Sequence, residues 1–364
     1  METLKIALAC DWCPPEVGGV ETHIRYFSEN LVQRGHEVEI ITHKNMNSTA
    51  GKEDGSILYH RVRGFVLNRQ GVTVDPRAIW EVREILKKGG YDIVHGHGVT
   101  SPISAAACLY AKKNGGAATI LTNHSLLRSF KPNFVAKTVL KPLLSSADKV
   151  IAVSRSVAEE TERMWGKDAV IIPNGVNLRE SMVGCPEGMS VTTISRLVKK
   201  KNIIDLVKIS PLLLEEFPDL KFTIVGNGPE KKTIQREIRA QGSEERFNLV
   251  DSVPHEEVYR YLAGSSVFVL PSSDEAFGIS LLEAMACSIP VVAKNGSGAS
   301  DIVVHGENGY LADDLDELKR FTRELLQDPL KRKAMGCRGR RTAKRFDWAR
   351  VSDQVVDVYR DVLS

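Results

Sequence analysis

Two successive α/β domains, each built on a mostly parallel sheet, are what this chain predicts, and three observations carry the prediction. Short apolar segments alternate with stretches of helical periodicity almost throughout, the pattern of βαβ units. The alternation runs in two series, parted by a turn-rich and poorly periodic stretch over residues 174–188. A length of 364 residues also exceeds what one ordinary hydrophobic core accommodates.

In the first series the expected strands are residues 4–9, 38–42, 93–95, 118–122 and 149–153, short runs rich in Val, Ile and Leu. Val20, Ile24, Phe27 and Leu31 mark the first helix by their spacing. The second series places strands at 191–194, 221–225, 247–250, 267–270 and 290–293. After 267–270 comes a turn with Gly278, then a helix from near Ser280, with Pro290 beyond it. Val351, Val355, Val358 and Val362 then predict an amphipathic closing helix. The boundaries that follow are an N-terminal domain over 1–177, a linker over 178–190, a second domain over 191–345 and a closing helix over 346–364. No internal repeat or low-complexity segment interrupts this plan.

Composition excludes several classes. With 42% hydrophobic and 26% charged residues the chain reads as globular and neither disordered nor membrane-spanning. No apolar run is long enough to cross a bilayer, and the opening residues lack the layout of a signal segment, so a cytoplasmic location is expected. A net charge of +3 on this length gives no reason to expect a nucleic-acid partner. Six cysteines do not make a disulfide framework. Cys10 and Cys13 form a C-x2-C without a second pair to complete a zinc site, so they read as free thiols at a strand end.

The strand-end loops hold the chemistry, as expected where ligands bind outside the carboxyl ends of parallel strands in a cleft between two domains. The most informative is 271–283, which carries Glu275 and Glu283 across a strand–turn–helix. Unpaired N–H groups and the helix dipole favour an anion at such a turn, while carboxylates accept from paired hydroxyls. A sugar nucleotide carries both groups. Arg196 and Lys201, in the basic run after the strand at 191–194, suit a phosphate as a planar fork and a mobile point charge. Gly18 and Gly19 precede the first helix, and Gly226 opens a Gly-Asn-Gly-Pro strand end; either pair serves close approach to a phosphate or an ordinary tight turn. His95, His97 and His124 all stand at strand ends, and spacing does not rank them. Asp314-Leu-Asp316 has the spacing of a metal-binding pair, but it follows no expected strand and reads as surface.

Together these segments resemble the family 4 glycosyltransferases of the GT-B fold, retaining enzymes built from two Rossmann-like domains that face each other across a cleft and use nucleotide sugars. The resemblance runs co-linearly along the chain through Gly18-Gly-Val-Glu21, residues 34–38, His124, residues 172–177, Arg196, Lys201, the Gly-x-Gly-Pro loop, Glu275, Glu283 and the 346–348 segment. Within the family, residues 18–23, 92–97 and 123–126 resemble the catalytic subunit that adds N-acetylglucosamine to phosphatidylinositol, with Asn123 and Asn177 where that branch usually has Asp.

The resemblance implies a metal-independent transferase with no cofactor, acting from a nucleotide-sugar donor, UDP-sugar preferred, to a hydroxyl acceptor such as an inositol phospholipid or another lipid-linked acceptor. Arg196 and Lys201 would neutralise the leaving diphosphate with the N-terminus of the helix near Ser280. Glu283 would hold the ribose, and Glu275 with the backbone of Phe277, Gly278 and Ile279 the sugar hydroxyls. Val253 stands where the nucleobase packs. Gly18 and Gly19 would approach the phosphates, and His124 the transferred sugar. The basic, apolar segment Arg128 to Lys141 reads either as a peripheral membrane contact or as a core helix with a solvated face. The competing classes are a nucleotide-sugar epimerase, which turns over donor without acceptor, and a non-catalytic sugar-nucleotide-binding subunit. A dehydrogenase lacks its dinucleotide fingerprint here.

Overall fold

The computed structural model describes residues 2–13, 18–43, 51–52, 57–64, 66–67, 72–73, 75–114, 116–126, 145–178 and 188–364. The segment from Arg128 to Lys141 lies outside the described residues, as does most of the stretch expected to be a linker. The chain forms two compact units, Met1–Asn174 with Trp348–Ser364, and Gly175–Asp347.

The first unit is built on an eight-stranded sheet of order β10-β9-β8-β7-β1-β2-β4-β3. Its strands are β1 (Lys5–Ala9), β2 (Glu37–His43), β3 (Gly51–Lys52), β4 (Leu58–Val62), β7 (Ile93–His97), β8 (Ala118–Asn123), β9 (Lys149–Ala152) and β10 (Val170–Ile171). All neighbours are parallel except β3 on β4. A separate antiparallel ribbon joins β5 (Val66–Leu67) and β6 (Val72–Thr73).

Strand β1 shows why the apolar runs are continuous and not alternating. Ile6 and Leu8 point into one core with Phe27, Ile40 and the closing helix Trp348–Leu363, while Ala7 and Ala9 point into another with Ile41, Val82 and Ile103. Side chains leave a strand on alternate faces, and a strand covered on both faces must be apolar at every position. The closing helix contributes Trp348, Val351, Val355, Val356 and Tyr359 to the first core. Its apolar face is buried there, at roughly 1.5–3 kcal/mol per large side chain.

The second unit carries a six-stranded, fully parallel sheet of order β13-β12-β11-β14-β15-β16. The strands are β11 (Ser190–Ile194), β12 (Lys221–Val225), β13 (Phe247–Val250), β14 (Val267–Leu270), β15 (Val291–Lys294) and β16 (Gly309–Ala312). Strand order reverses between β11 and β14 here, and between β1 and β7 in the first unit. Such a reversal splays the following loops apart and leaves a crevice at the carboxyl ends of the two strands.

The ten expected strands are present. Strand β16 was not among them, and its presence corrects the reading of Asp314-Leu-Asp316, which does follow a strand. The signal was weak because Gly309-Tyr-Leu-Ala312 holds no β-branched residue and begins with a glycine that packing keeps small: a Cβ there would stand 2.6 Å from the Val291 side chain. Asp314 caps the helix Leu315–Gln327 by accepting from the Glu317 N–H at 2.8 Å, and Asp316 pairs with Lys319 on the surface. Cys10 and Cys13 are buried, and the Cys10 sulfur accepts from the Trp12 N–H at 3.3 Å.

Candidate active site

In the second unit the loops leaving β11 and β14 meet at the switch point. The β11 loop runs through Arg196 into a short 3-10 turn, Lys199–Lys201, which ends on Asn202 in the left-handed region at φ 49°. The carbonyl of Lys200 accepts from the Ser273 N–H at 3.2 Å and from the Ser272 and Ser273 hydroxyls, which ties this turn to the loop after β14. Two residues on, Glu275 meets Lys201, Nζ to Oε2 at 2.5 Å, with both side chains largely buried. Two residues singled out separately in the sequence are thus one ion pair. Arg196 is exposed and has no ion-pair partner among the described residues. Lys200 stands beside them, 4.0 Å from Asp274. Burial, with Lys201 and Arg196 nearby, holds the Lys200 ammonium below the usual lysine range despite Asp274. Arg196, Lys200 and Lys201 share this loop with Lys199, and the lowered Lys200 pKa reports partial desolvation first and then repulsion from Lys201 and Arg196.

Past Glu275 the chain turns at Gly278, which caps the helix Ile279–Ala286 with φ 99°, a conformation that favours glycine. Phe277 is buried, and its ring lies 6.0 Å from that of Phe346. The loop is backed by the 3-10 turn Ser297–Asp301: the Gly298 N–H donates to the Glu275 carbonyl at 2.8 Å, and a Cβ on Gly298 would stand 2.2 Å from the Ala276 oxygen. The helix N-terminus, with Ile279 and Ser280 half-buried, therefore opens in the same loop cluster as these cations.

Glu283 lies one turn into this helix and is buried. Its Oε1 is 2.6 Å from Nε2 of His255, the first residue of the helix His255–Ala263. Sequence reasoning missed His255, because the two residues are 28 positions apart and belong to different helices. Val253, half-buried, sits two residues before it. Gly226 has a packing reason of its own. At φ 144° its Cβ would be 1.9 Å from the Ser195 carbonyl oxygen, and the Leu197 N–H donates to Asn227 at 2.9 Å. The Gly-x-Gly loop is laid flush on the Arg196 loop, so these glycines set where Arg196 sits.

The equivalent switch point of the first unit holds different chemistry. His95 and His97 end β7, His124 follows β8, and His23 lies on the helix Gly19–Gln33. His97 Nδ1 is 3.1 Å from His124 Nε2, and the rings of His23 and His124 meet edge-on at 4.6 Å. His95 is held from both sides, by the Tyr359 hydroxyl and by Thr122 Oγ1, each at 2.7 Å. Of the three strand-end histidines, His95 and His97 are buried and His124 is half-buried. Burial lowers all four imidazole pKa values, that of His23 to about 4, against a weak opposing effect of Asn174. Gly18 is extended at φ 178° and leads into the helix, where Gly19 is exposed. Nothing in the backbone of Gly18 demands glycine, and its Cβ would meet only the flexible Glu21 side chain.

Two Rossmann-like parallel-sheet units, one with cations and a glycine-capped helix at its switch point, make up the GT-B fold. Residues 17–180 match the family described as Glycosyltransferase Family 4, and residues 187–342 that described as Glycosyl transferases group 1; the chain belongs to this family. It is similar to the Saccharomyces cerevisiae phosphatidylinositol N-acetylglucosaminyltransferase GPI3 subunit, 29% identical over 99% of this chain and 83% of the relative. It is also 28% identical to the GDP-mannose-dependent alpha-(1-6)-phosphatidylinositol monomannoside mannosyltransferase of Mycolicibacterium smegmatis, over 91% of each chain. Among solved structures, Anabaena Alr3699/HepE in complex with UDP-glucose superimposes with a TM-score of 0.81 at 19% identity, over 98% of this chain and 100% of that one. Among the described residues no helix is long and apolar enough to cross a membrane.

Proposed function

We propose that the protein is a retaining transferase that moves a sugar, N-acetylglucosamine first among candidates, from UDP to a hydroxyl of an inositol phospholipid. The observation that carries the donor half is the meeting of Arg196, Lys200, the Lys201–Glu275 pair and the helix opening at Gly278 in one loop cluster. Fixed positive charge there matches the charge that a departing diphosphate develops, and side-chain cations with a helix N-terminus do this without a metal ion. Glu283, oriented by His255, is assigned to the ribose hydroxyls, and Glu275, with the backbone of Phe277 to Ile279, to the hydroxyls of the transferred sugar. Gly226 shapes the Arg196 loop beside the donor, and Val253 is assigned to the base. Gly18, Gly19 and His124 keep the roles the family resemblance implies, toward the phosphates and the sugar.

The acceptor half rests on the relatives. Two of them transfer different sugars by name, yet both names carry phosphatidylinositol, which favours the inositol headgroup as the shared element. In the reaction the acceptor oxygen bonds to the anomeric carbon as the bond from that carbon to the phosphate oxygen breaks. The electron pair leaves with the diphosphate. A front-face course, with the acceptor proton passing to a phosphate oxygen, gives retention; a trapped glycosyl-enzyme adduct would overturn it.

A thermal-shift screen of UDP- and GDP-sugars, followed by transfer to phosphatidylinositol vesicles, tests the reading. A ligand at a hundredfold its Kd adds about 2.7 kcal/mol of stability. Stabilisation by a UDP-sugar that is lost in Lys201→Ala is the expected result. Stabilisation by GDP-mannose alone would refute the donor, and epimerised donor without acceptor would refute transfer.

A further inference from the structure

His23 and His97 have no part in the reaction proposed above, yet they lie with His124 at the switch point of the first unit. One side-chain nitrogen from each falls within 4.8 Å of the other two. We infer that His23, His97 and His124 form a binding site for a transition-metal ion of the zinc class.

Several independent features support this. His23 Nδ1 and Asn174 Oδ1 are buried without a hydrogen-bond partner among the described residues. Buried polar atoms are almost always satisfied, and those that are not call for a water or an ion. The two imidazole nitrogens of His97 and His124 that face each other at 3.1 Å share one proton as a hydrogen bond in the free protein, and a tautomer shift turns both lone pairs toward a cation between them. Burial keeps the imidazoles neutral, the form that ligates metal.

The neighbours explain the membership of the site. His95 is closer in ring position to His97, with centroids 4.1 Å apart, but both its nitrogens are already engaged, by Tyr359 and Thr122. It supports the site without being a ligand. No carboxylate is in the group, and three imidazoles without oxygen ligands suit zinc or its congeners and not magnesium or calcium. In a tetrahedral zinc site with bonds of 2.0–2.1 Å, ligand nitrogens are about 3.4 Å apart. The separations here, 3.1 Å between His97 and His124 and up to 4.8 Å across the group, bracket that value. Three protein ligands leave a fourth position, which water or Asn174 Oδ1 fills.

Metal binding stands apart from the transfer reaction, which routes no step through the ion. One consequence does rest on the proposed function: an ion on His124 removes that side chain from the transferred sugar, so zinc inhibits.

Untagged protein stripped with a chelator is titrated with Zn2+ by calorimetry, and with Co2+ while the visible bands of a tetrahedral site are followed. One equivalent per chain is expected, with affinity weakened at least about tenfold in His23→Ala and in His97→Gln, and unchanged in His305→Ala. Circular dichroism of each variant guards against loss of fold. Absence of saturable binding by the wild-type protein overturns the site, as does equal affinity in both folded variants. If zinc binds as expected but leaves the transfer rate unchanged, the site stands and the assignment of His124 to the sugar falls.

Discussion

The two switch points of this protein occupy the same place in the same kind of sheet and are chemically opposite. In the second unit the loops after β11 and β14 bring together cations, three carboxylates and a helix N-terminus, with Lys200 beside Asp274, Lys201 paired with Glu275 and Glu283 held by His255. In the first, the loops after β7 and β8 gather neutral imidazoles around aromatic rings, with Phe27 and Trp348 against His23. The fold supplies a crevice in both cases, and loop residues alone decide what it is for. One site suits a leaving group that carries charge; the other offers lone pairs and flat, uncharged surface.

The contrast is most exposed at Lys201. Lys201→Ala removes a cation and strands Glu275, and transfer is expected to fall by about 10²–10³, with some loss of ligand-free stability from the unpaired buried carboxylate. An unchanged transfer rate would break the assignment of the second unit to the diphosphate.

Acid should act on the other unit. A buried histidine whose folded pKa lies below its unfolded value contributes stability that is fully present above pH 6.5 and is lost as pH falls through the folded pKa. His23, pushed down from 6.5 to about 4, should alone cost on the order of 3 kcal/mol by pH 4. His95, His97 and His124 shift in the same direction, through burial first and then through the neighbouring imidazoles, with Asn174 opposing at His124 and no carboxylate among the causes. Chelator-treated protein should lose stability between pH 6.5 and 4 in denaturant titrations, and His23→Phe should lose less. A flat profile over that range would show that the cluster is not neutral in the fold.

The smallest effect is expected at His255. His255→Asn should weaken UDP-sugar binding by about tenfold, roughly 1.4 kcal/mol, through a misplaced Glu283, and leave the maximal rate nearly intact. A loss in rate without a loss in affinity would move Glu283 from the ribose to the reacting centre.

Much of the scaffold was legible because doubly covered parallel strands must be apolar throughout, as at 267–270, and the less buried strands 221–225 and 247–250 were placed to the residue as well. Strand β4 escaped, since Leu-Tyr-His-Arg-Val at 58–62 carries a polar pair in its middle. Glu275, Lys201 and Glu283 could be named because strand–turn–helix chemistry is local. The partner of Glu283 could not, because nothing local distinguishes His255 from any other histidine at a helix start. The same holds for His23, whose helix position reads as one more core-facing residue until β7 and β8 are folded beside it.

The closing helix Trp348–Leu363 has a consequence for synthesis. It completes the core around β1 and supplies the Tyr359 hydroxyl that engages His95, yet it is translated only after all of Gly175–Asp347. A nascent chain that has emerged as far as Asn174 therefore holds an unfinished core, with the groove for Trp348 and Tyr359 still open. The second unit, contiguous in the chain, has no such wait and is expected to close first on the ribosome, leaving the first to be sealed from its far end.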